Sequence, residues 1–210
     1  MKKNSMWSFK LNTAALVLIP AAVGINYLGK LFAGLLKLPL WLDSIGTCLA
    51  AVLAGPIAGA ICGAVNNIIY GLTMDPISTV YALTSAFIGV AVGVCAYKGN
   101  MKNIKGAIIT GLIAGLVAVV ISTPLNMIFW GGTTGNVWGD SAYAWGIANN
   151  LPAFLASAID EIIVDLPDKL ATFLLVFVIY KGLPKTLTSL YKNSEEIESL
   201  DEEENHLENM

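Results

Sequence analysis

The sequence predicts an all-α integral membrane protein, a bundle of six transmembrane helices with five as the alternative. Three observations carry this expectation. The 210-residue chain is 56% hydrophobic and only 13% charged, whereas soluble domains are about a quarter charged. Its mean hydropathy is +0.69. The apolar residues fall in runs of about 20 broken by short polar segments, as helices crossing roughly 30 Å of hydrocarbon require.

The first run, 11–29, follows the basic stretch MKKNSMWSFK. That arrangement imitates a signal peptide, but the remaining chain is equally apolar, so it reads as an uncleaved first helix. Segment 30–43 (KLFAGLLKLPLWLD) is too short and too broken by Pro39 to span, and reads as a cover over a neighbouring site. Run 44–71 is either one helix of about 42 Å or two short helices meeting at Gly55-Pro56. Runs 78–97, 106–130 and 152–182 complete the set. The organisation expected is a cytoplasmic N-terminus (1–10), one membrane domain (11–184) and an acidic, disordered cytoplasmic tail (185–210).

Lysines weigh the topologies, because cytoplasmic loops are rich in Lys and Arg and this chain has no Arg. With six helices and the N-terminus inside, nine lysines are cytoplasmic (Lys2, Lys3, Lys10, Lys98, Lys102, Lys105, Lys181, Lys185, Lys192). Lys30 and Lys37 are then external and Lys169 lies in the membrane. With five helices the split is eight inside to three outside, which leaves both counts open. Either way 98–105 and the C-terminus are cytoplasmic and the lysine-free 131–150 loop is external. The net charge of −3 comes from the tail, where eight acidic residues follow Lys192.

Several chemistries are excluded. The lone histidine, His206, lies in the tail, so no Ser-His-Asp or Cys-His set can form. Cys48, Cys62 and Cys95 sit in apolar runs without metal-ligand spacing and read as small buried hydrophobes. The GGTTG at 131–135 lacks the Lys-Ser/Thr of a phosphate-binding loop. No catalytic residue, metal site or cofactor is expected, and the chain does not read as an enzyme.

Candidate functional residues lie in the last run. It carries Asp160, Glu161, Asp165, Asp168 and Lys169, and a charge in a bilayer core costs about 2.5–3.5 kcal/mol on insertion scales. Glu161, Asp165, Asp168 and Lys169 lie near one helical face, with Asp165 and Lys169 an i,i+4 pair. One lysine cannot neutralise four carboxylates, so the remainder are protonated, face water, or meet a cationic ligand. Pro167 reads as the start of a new helical stretch capped by Asp165. The loop WGGTTGNVWGDSAYAWGIANN brings Trp130, Trp138, Tyr143 and Trp145 together with Asn149 and Asn150. Such aromatics are either interfacial anchors or a lid that stacks on a flat ligand. A ladder of small residues every fourth position (Ala51, Gly55, Gly59, Gly63, then Asn67 and Gly71), with Gly111 and Gly115 later, marks helix packing or a docking stripe for another subunit.

The pieces LPLWLDSIGTCLAAVLAGPIAGAICGAVNNIIYG (38–71) and IIVDLPDKLATFLLVFVIYKGLP (162–184) resemble S components of energy-coupling factor (ECF) transporters, in the branch grouped with riboflavin-type S components. The resemblance spans about residues 10–185. It implies a six-helix subunit that binds a vitamin or related micronutrient on the external side of a prokaryotic plasma membrane, with both termini cytoplasmic. It also implies a transmembrane coupling subunit and two cytoplasmic ATPases as partners, membrane lipid around the chain, no nucleic acid, and a split of 44–71 at Gly55-Pro56. On that footing Trp138, Tyr143 and Trp145 cover a ring, Asn67 and Asn149 hydrogen-bond it, and Asp160, Glu161 or Asp165 meets a positive or donor-rich group. The D-L-P-D-K portion then reads partly as a structural signature of the family. Ala14, Ala15, Ala21 and Ala22 do not give the Ala-xxx-Ala docking face, and Pro20 is expected to interrupt the first helix. A ligand-binding membrane sensor or scaffold, and a proton-coupled secondary transporter, are the alternatives.

Overall fold

The computed structural model describes Trp7 and residues 13–191. The readings placed on the first residues, on His206 and on the part of the 185–210 tail after Tyr191 lie outside the described residues, while the part before it, expected as disordered, holds a short helix, Lys185–Ser189. Eight α-helices follow one another: α1 (Thr13–Leu35), α2 (Ile45–Ala54), α3 (Pro56–Thr73), α4 (Ala82–Tyr97), α5 (Ile104–Trp130), α6 (Val137–Ala148), α7 (Ala153–Gly182) and α8 (Lys185–Ser189). Short 3-10 turns at Pro76–Thr79 and Asn100–Lys102 join α3 to α4 and α4 to α5. No strand occurs among the described residues. By length and apolarity three helices can cross a membrane: α1 over Ala14–Leu35, α3 and α5. The 30-residue α7 is long enough too, but it carries the buried charges.

Residues 44–71 form two helices. Gly55 adopts φ 89°, ψ 179° between them, a left-handed region that only glycine enters without strain. Pro56 then starts α3, where its missing N–H costs nothing. Elsewhere proline does not break helices as the sequence suggested. α1 runs through Pro20 and α7 through Pro167; each proline forfeits one intrahelical bond, yet the helix continues past it. Asp165 is therefore no cap, because a cap needs non-helical backbone, and its carboxylate turns to Lys169. The helical reach of α1 to Leu35 also corrects the placement of Lys30, which is a buried residue of the helix and not an external loop lysine.

Side chains cross between helices to satisfy helix ends. Ser44 makes no side-chain cap at the start of α2. Asn26 of α1 does that work instead: its Oδ1 accepts from Gly46 N (2.7 Å) and Thr47 N (3.3 Å), and its Nδ2 donates to Thr47 Oγ1 (2.8 Å). All of this is fully buried, where water cannot replace a lost partner. Asn26→Leu should therefore lower stability by about 1–3 kcal/mol by orphaning those groups. Thermal unfolding in detergent reads the loss, and an unchanged midpoint would mean that α2 finds its cap elsewhere.

Small residues set the close approaches. A Cβ added at Gly59 would meet the Cα of Gly89 at 3.0 Å, and one at Gly63 would meet Ser85 Cβ at 2.9 Å, so α3 and α4 touch backbone to backbone. Gly111 and Gly115 of α5 seat Phe173 and Leu166 of α7 in the same way. The predicted stripes are thus covered inside the chain at these four positions. Polar residues such as Asn26, Asn67, Thr110 and Asn126 are buried, whereas Leu16, Val17, Val120, Ile128 and Val178 point outward. An apolar exterior around a polar interior is the arrangement that lipid selects.

Two ends of the bundle are fixed by long-range bonds. At one, Tyr191 Oη donates to the Ala14 carbonyl (3.4 Å), which joins the two ends of the described chain. At the other, α6 clasps the segment after α1: Trp138 Nε1 donates to Lys37 O (3.0 Å) and Asn136 Nδ2 to Leu38 O (3.3 Å). Residues 137–148, expected as a flexible lid, are a helix whose N-terminus Asn136 caps through Trp138 N.

Candidate functional site

Near the α6 end lies a cleft with about 500 Å³ of empty space, mouth included. Its walls come from the segment after α1 (Trp41, Asp43), the 3-10 turn (Asp75, Ile77, Ser78), α4 with its flanking Tyr81 (Thr84, Ser85, Ile88), and α7 (Glu161, Asp165, Lys169). Lys30 of α1, Ser122 of α5 and Thr134 complete it. A second, neighbouring cleft between the end of α1 and the start of α6 shares Lys30, Trp41 and Asp75 with the first.

Lys169 is the hub of the floor. Its Nζ lies 2.6 Å from Asp168 Oδ2, 3.2 Å from Asp43 Oδ1 and 3.5 Å from Asp165 Oδ1. The i,i+4 pairing with Asp165 is the one that the helical spacing predicts. Asp168 uses its other oxygen to accept from Trp41 N (3.1 Å) and Leu42 N (2.8 Å), pinning the segment after α1 onto α7. Leu42 itself has φ 52°, a strained conformation for a side-chain-bearing residue. Asp43 bridges the two lysines, with Lys30 Nζ 3.8 Å from its Oδ2 and Ser44 Oγ donating to it at 2.7 Å.

Lys30 extends the network upward. It donates to Asn67 Oδ1 (3.4 Å) and sits over the rings of Tyr70 (4.9 Å) and Trp41 (5.8 Å), within the range of cation–π attraction. On the opposite wall, Tyr81 Oη donates to Asn126 Oδ1 and Asn126 Nδ2 donates to Glu161 Oε1, both at 2.5 Å. This relay fixes the Asn126 amide and delivers its donor to Glu161. Glu161 makes no ion pair among the described residues.

The structure brings together only part of the predicted set. Glu161 and Asp165 line the cleft. Asn67 stands behind it, its amide taken up by Lys30, Ser85 Oγ (2.6 Å) and Gly63 O (3.2 Å). Asp160 is fully buried under α6: Thr134 Oγ1 donates to its Oδ1 (3.2 Å), Gly139 packs on it, and its Oδ2 has no partner. Trp138 and Trp145 are exposed on α6. Tyr143 Oη donates to Gly131 O (2.8 Å), and Asn149 Nδ2 to Trp145 O (2.8 Å) at the C-terminal end of α6. None of these four α6-region residues lines the cleft. Gly55 is the α2–α3 break, away from the cleft.

Sequence reasoning missed Lys30, Trp41, Asp43, Asp75, Tyr81 and Asn126. Two of them carried a signal, because Lys30 and Asp43 are isolated charges in apolar surroundings and such charges seek partners. The others look like ordinary loop and helix residues.

A family model described as ECF transporter, substrate-specific component matches residues 13–191. No curated protein and no solved structure matches the chain. The family's members bind substrates for transport and are not enzymes; an apolar helical chain with a buried polar cleft agrees with that role. The match spans all the described helices, and on it the chain belongs to the family of ECF transporter substrate-specific components.

Proposed function

We propose that this chain captures a vitamin-like micronutrient from the external side of a prokaryotic plasma membrane and hands it to an ECF module for ATP-driven uptake. The observation that carries the reading is the cleft at the α6 end, walled by aromatic, hydroxyl and charged groups from α1, α4, α5, α7 and the segments between helices. Trp41, Ile77, Tyr81 and Ile88 supply its apolar surface among convergent polar and charged groups, and a concave site that combines the two is what small-ligand sites have in common. Glu161 and Asp165 are the predicted residues with access to a bound molecule. Asn67 and Asp160 support the walls, and Trp138, Tyr143, Trp145 and Asn149 belong to the cover above. The kinship to riboflavin-type S components belongs to this same proposal.

On this reading the membrane domain passes six times, through α1, α2, α3, α4, α5 and α7, with α6 lying across one end. The ten-residue α2 is about 15 Å long and crosses only with the segment before it. Lys98, Lys102, Lys105, Lys181 and Lys185 gather at the end where Tyr191 meets Ala14, which argues for a cytoplasmic placement of both termini. Power comes from two ATPases through the coupling subunit, since the chain has no nucleotide motif.

Co-purification and uptake test the proposal. A tagged chain expressed in its host should retain a transmembrane coupling subunit and two ATPases, and reconstituted uptake should need ATP. Transport by the chain alone under a proton gradient, with no such partners captured, would establish the secondary-transporter reading instead.

A further inference from the structure

We propose that the cleft selects an organic cation bearing N–H donors, and that Glu161, more than Asp160 or Asp165, reads its charge. The inference rests on the reading of the cleft as the substrate site and adds the chemical class that the site admits.

The walls hold two lysines against four acids, Asp43, Asp75, Glu161 and Asp165. Both lysines already face carboxylates. Lys169 is shared among three carboxylates, and Lys30 is committed to Asp43, Asn67 and the Tyr70 ring. An anionic ligand would have to displace Asp43 or Asp168, and Asp168 also anchors two backbone amides. The acids are not equivalent. Asp43 and Asp165 have lysine partners, Asp75 caps the 3-10 turn through Ile77 N, and Asp160 is sealed beneath Gly139.

Glu161 alone among the α7 acids of the cleft has no cation. Its rotamer is set by the Asn126 donor, itself held by Tyr81, so one oxygen is occupied and the carboxylate is presented ready-made. Its neighbour Asp165 lies within hydrogen-bonding reach. Two facing carboxyls are reconciled by a shared proton or by a positive, donating group between them, and a cation with N–H donors can take the proton's place. Among the described residues no group of three His, Cys, Asp or Glu side chains is placed to hold a metal ion. The remaining lining suits an organic body: Trp41 and Tyr81 add aromatic rings, a residue type that attracts cations, and Ser78, Thr84, Ser85 and Ser122 add hydroxyls.

Three molecules of one shape and different charge make the test: benzamidinium, benzamide and benzoate, added to the full chain in lipid nanodiscs and read by thermal shift and calorimetry. Benzamidinium should bind and stabilise, with benzoate inert. Glu161→Gln should weaken benzamidinium by about tenfold or more, as loss of a charge-assisted contact does, while Glu161→Asp keeps part of it. Any molecule extracted from the purified chain should carry a basic nitrogen. Preference for benzoate, no response to any of the three, or wild-type benzamidinium affinity in Glu161→Gln would overturn the assignment. If Glu161→Gln does not fold, the benzamidinium–benzoate contrast on the native chain decides. A chain that still captures the ECF module but prefers the anion refutes the ligand class alone, whereas failure to capture the module refutes the transport reading.

Discussion

Lys169→Met is expected to cost the protein about 3–5 kcal/mol, the range found when one member of a buried ion pair is removed. Lys169 is 3% exposed and holds Asp43, Asp165 and Asp168 together from two chain segments. Without it three carboxylates converge on a space where only Lys30 remains, 3.8 Å from Asp43 alone. The segment after α1 then loses its Lys169–Asp43 tie to α7 and is held there by Asp168 through Trp41 and Leu42. The loss is large for the same reason the cluster exists: charges withdrawn from water are tolerable only as a set. Asp168→Asn keeps the oxygen that accepts the two backbone amides and removes one charge. Adding it to Lys169→Met should recover part of the deficit, with a coupling of about 0.5–3 kcal/mol typical of residues in one network. Thermal unfolding of the four proteins of this cycle, followed by tryptophan fluorescence in detergent, measures it. Strict additivity would show that Lys169 and Asp168 do not form an ionised pair.

How much of this site could be read in advance follows from where each partner lies in the chain. The acidic character of α7 was legible, since charges in an apolar run are costly wherever they fall, and Asp165–Lys169 followed from helical spacing alone. The break at Gly55-Pro56 was one of two alternatives the residues left open, and the resemblance to ECF S components favoured it. The counter-ions were not. Lys169 finds Asp43 at a separation of 126 residues, and nothing local in LPLWLDS announces that its aspartate bridges two lysines. Asn126 is a similar case. It looks like a polar interruption near Pro124, and becomes a relay only when α4 brings Tyr81 and α7 brings Glu161. The α6 region misled for a different reason. Its Gly, Asn and Thr content suggested an irregular loop, but Asn136 supplies a cap and Trp138 clasps Lys37, so tertiary contacts outweigh a weak intrinsic propensity. Pro20 and Pro167 likewise cost their helices one bond apiece, and both helices continue past them.

Gly89→Leu should be nearly as damaging as loss of the lysine, by steric means and with no change of charge. The position is buried at the α3–α4 crossing, where even a Cβ would collide with the Gly59 carbonyl carbon and with Ala60 N at 2.5 Å. Those are backbone atoms in a helix, so no side chain can rotate away and α4 itself must move. Overpacking costs about 1–3 kcal/mol where a core can adjust, and occasionally more; an immovable helix backbone places this site at or above the upper figure. Gly34→Leu is the matched control, because nothing lies within 4 Å of a Cβ there, and it should unfold with the native midpoint. The consequence extends to the cleft. Ser85 and Ile88 line it from the turn of α4 that crosses α3, and Asn67, which steadies Lys30, bonds Ser85 across the same contact. Pushing α4 outward therefore draws one wall from the cleft and loosens Lys30, so Gly89→Leu should lose ligand as well as stability. If the variant unfolds early yet binds its ligand with native affinity below that transition, the α3–α4 contact supports the bundle without shaping the site, and the ligand is held by α7 and the segment after α1 alone.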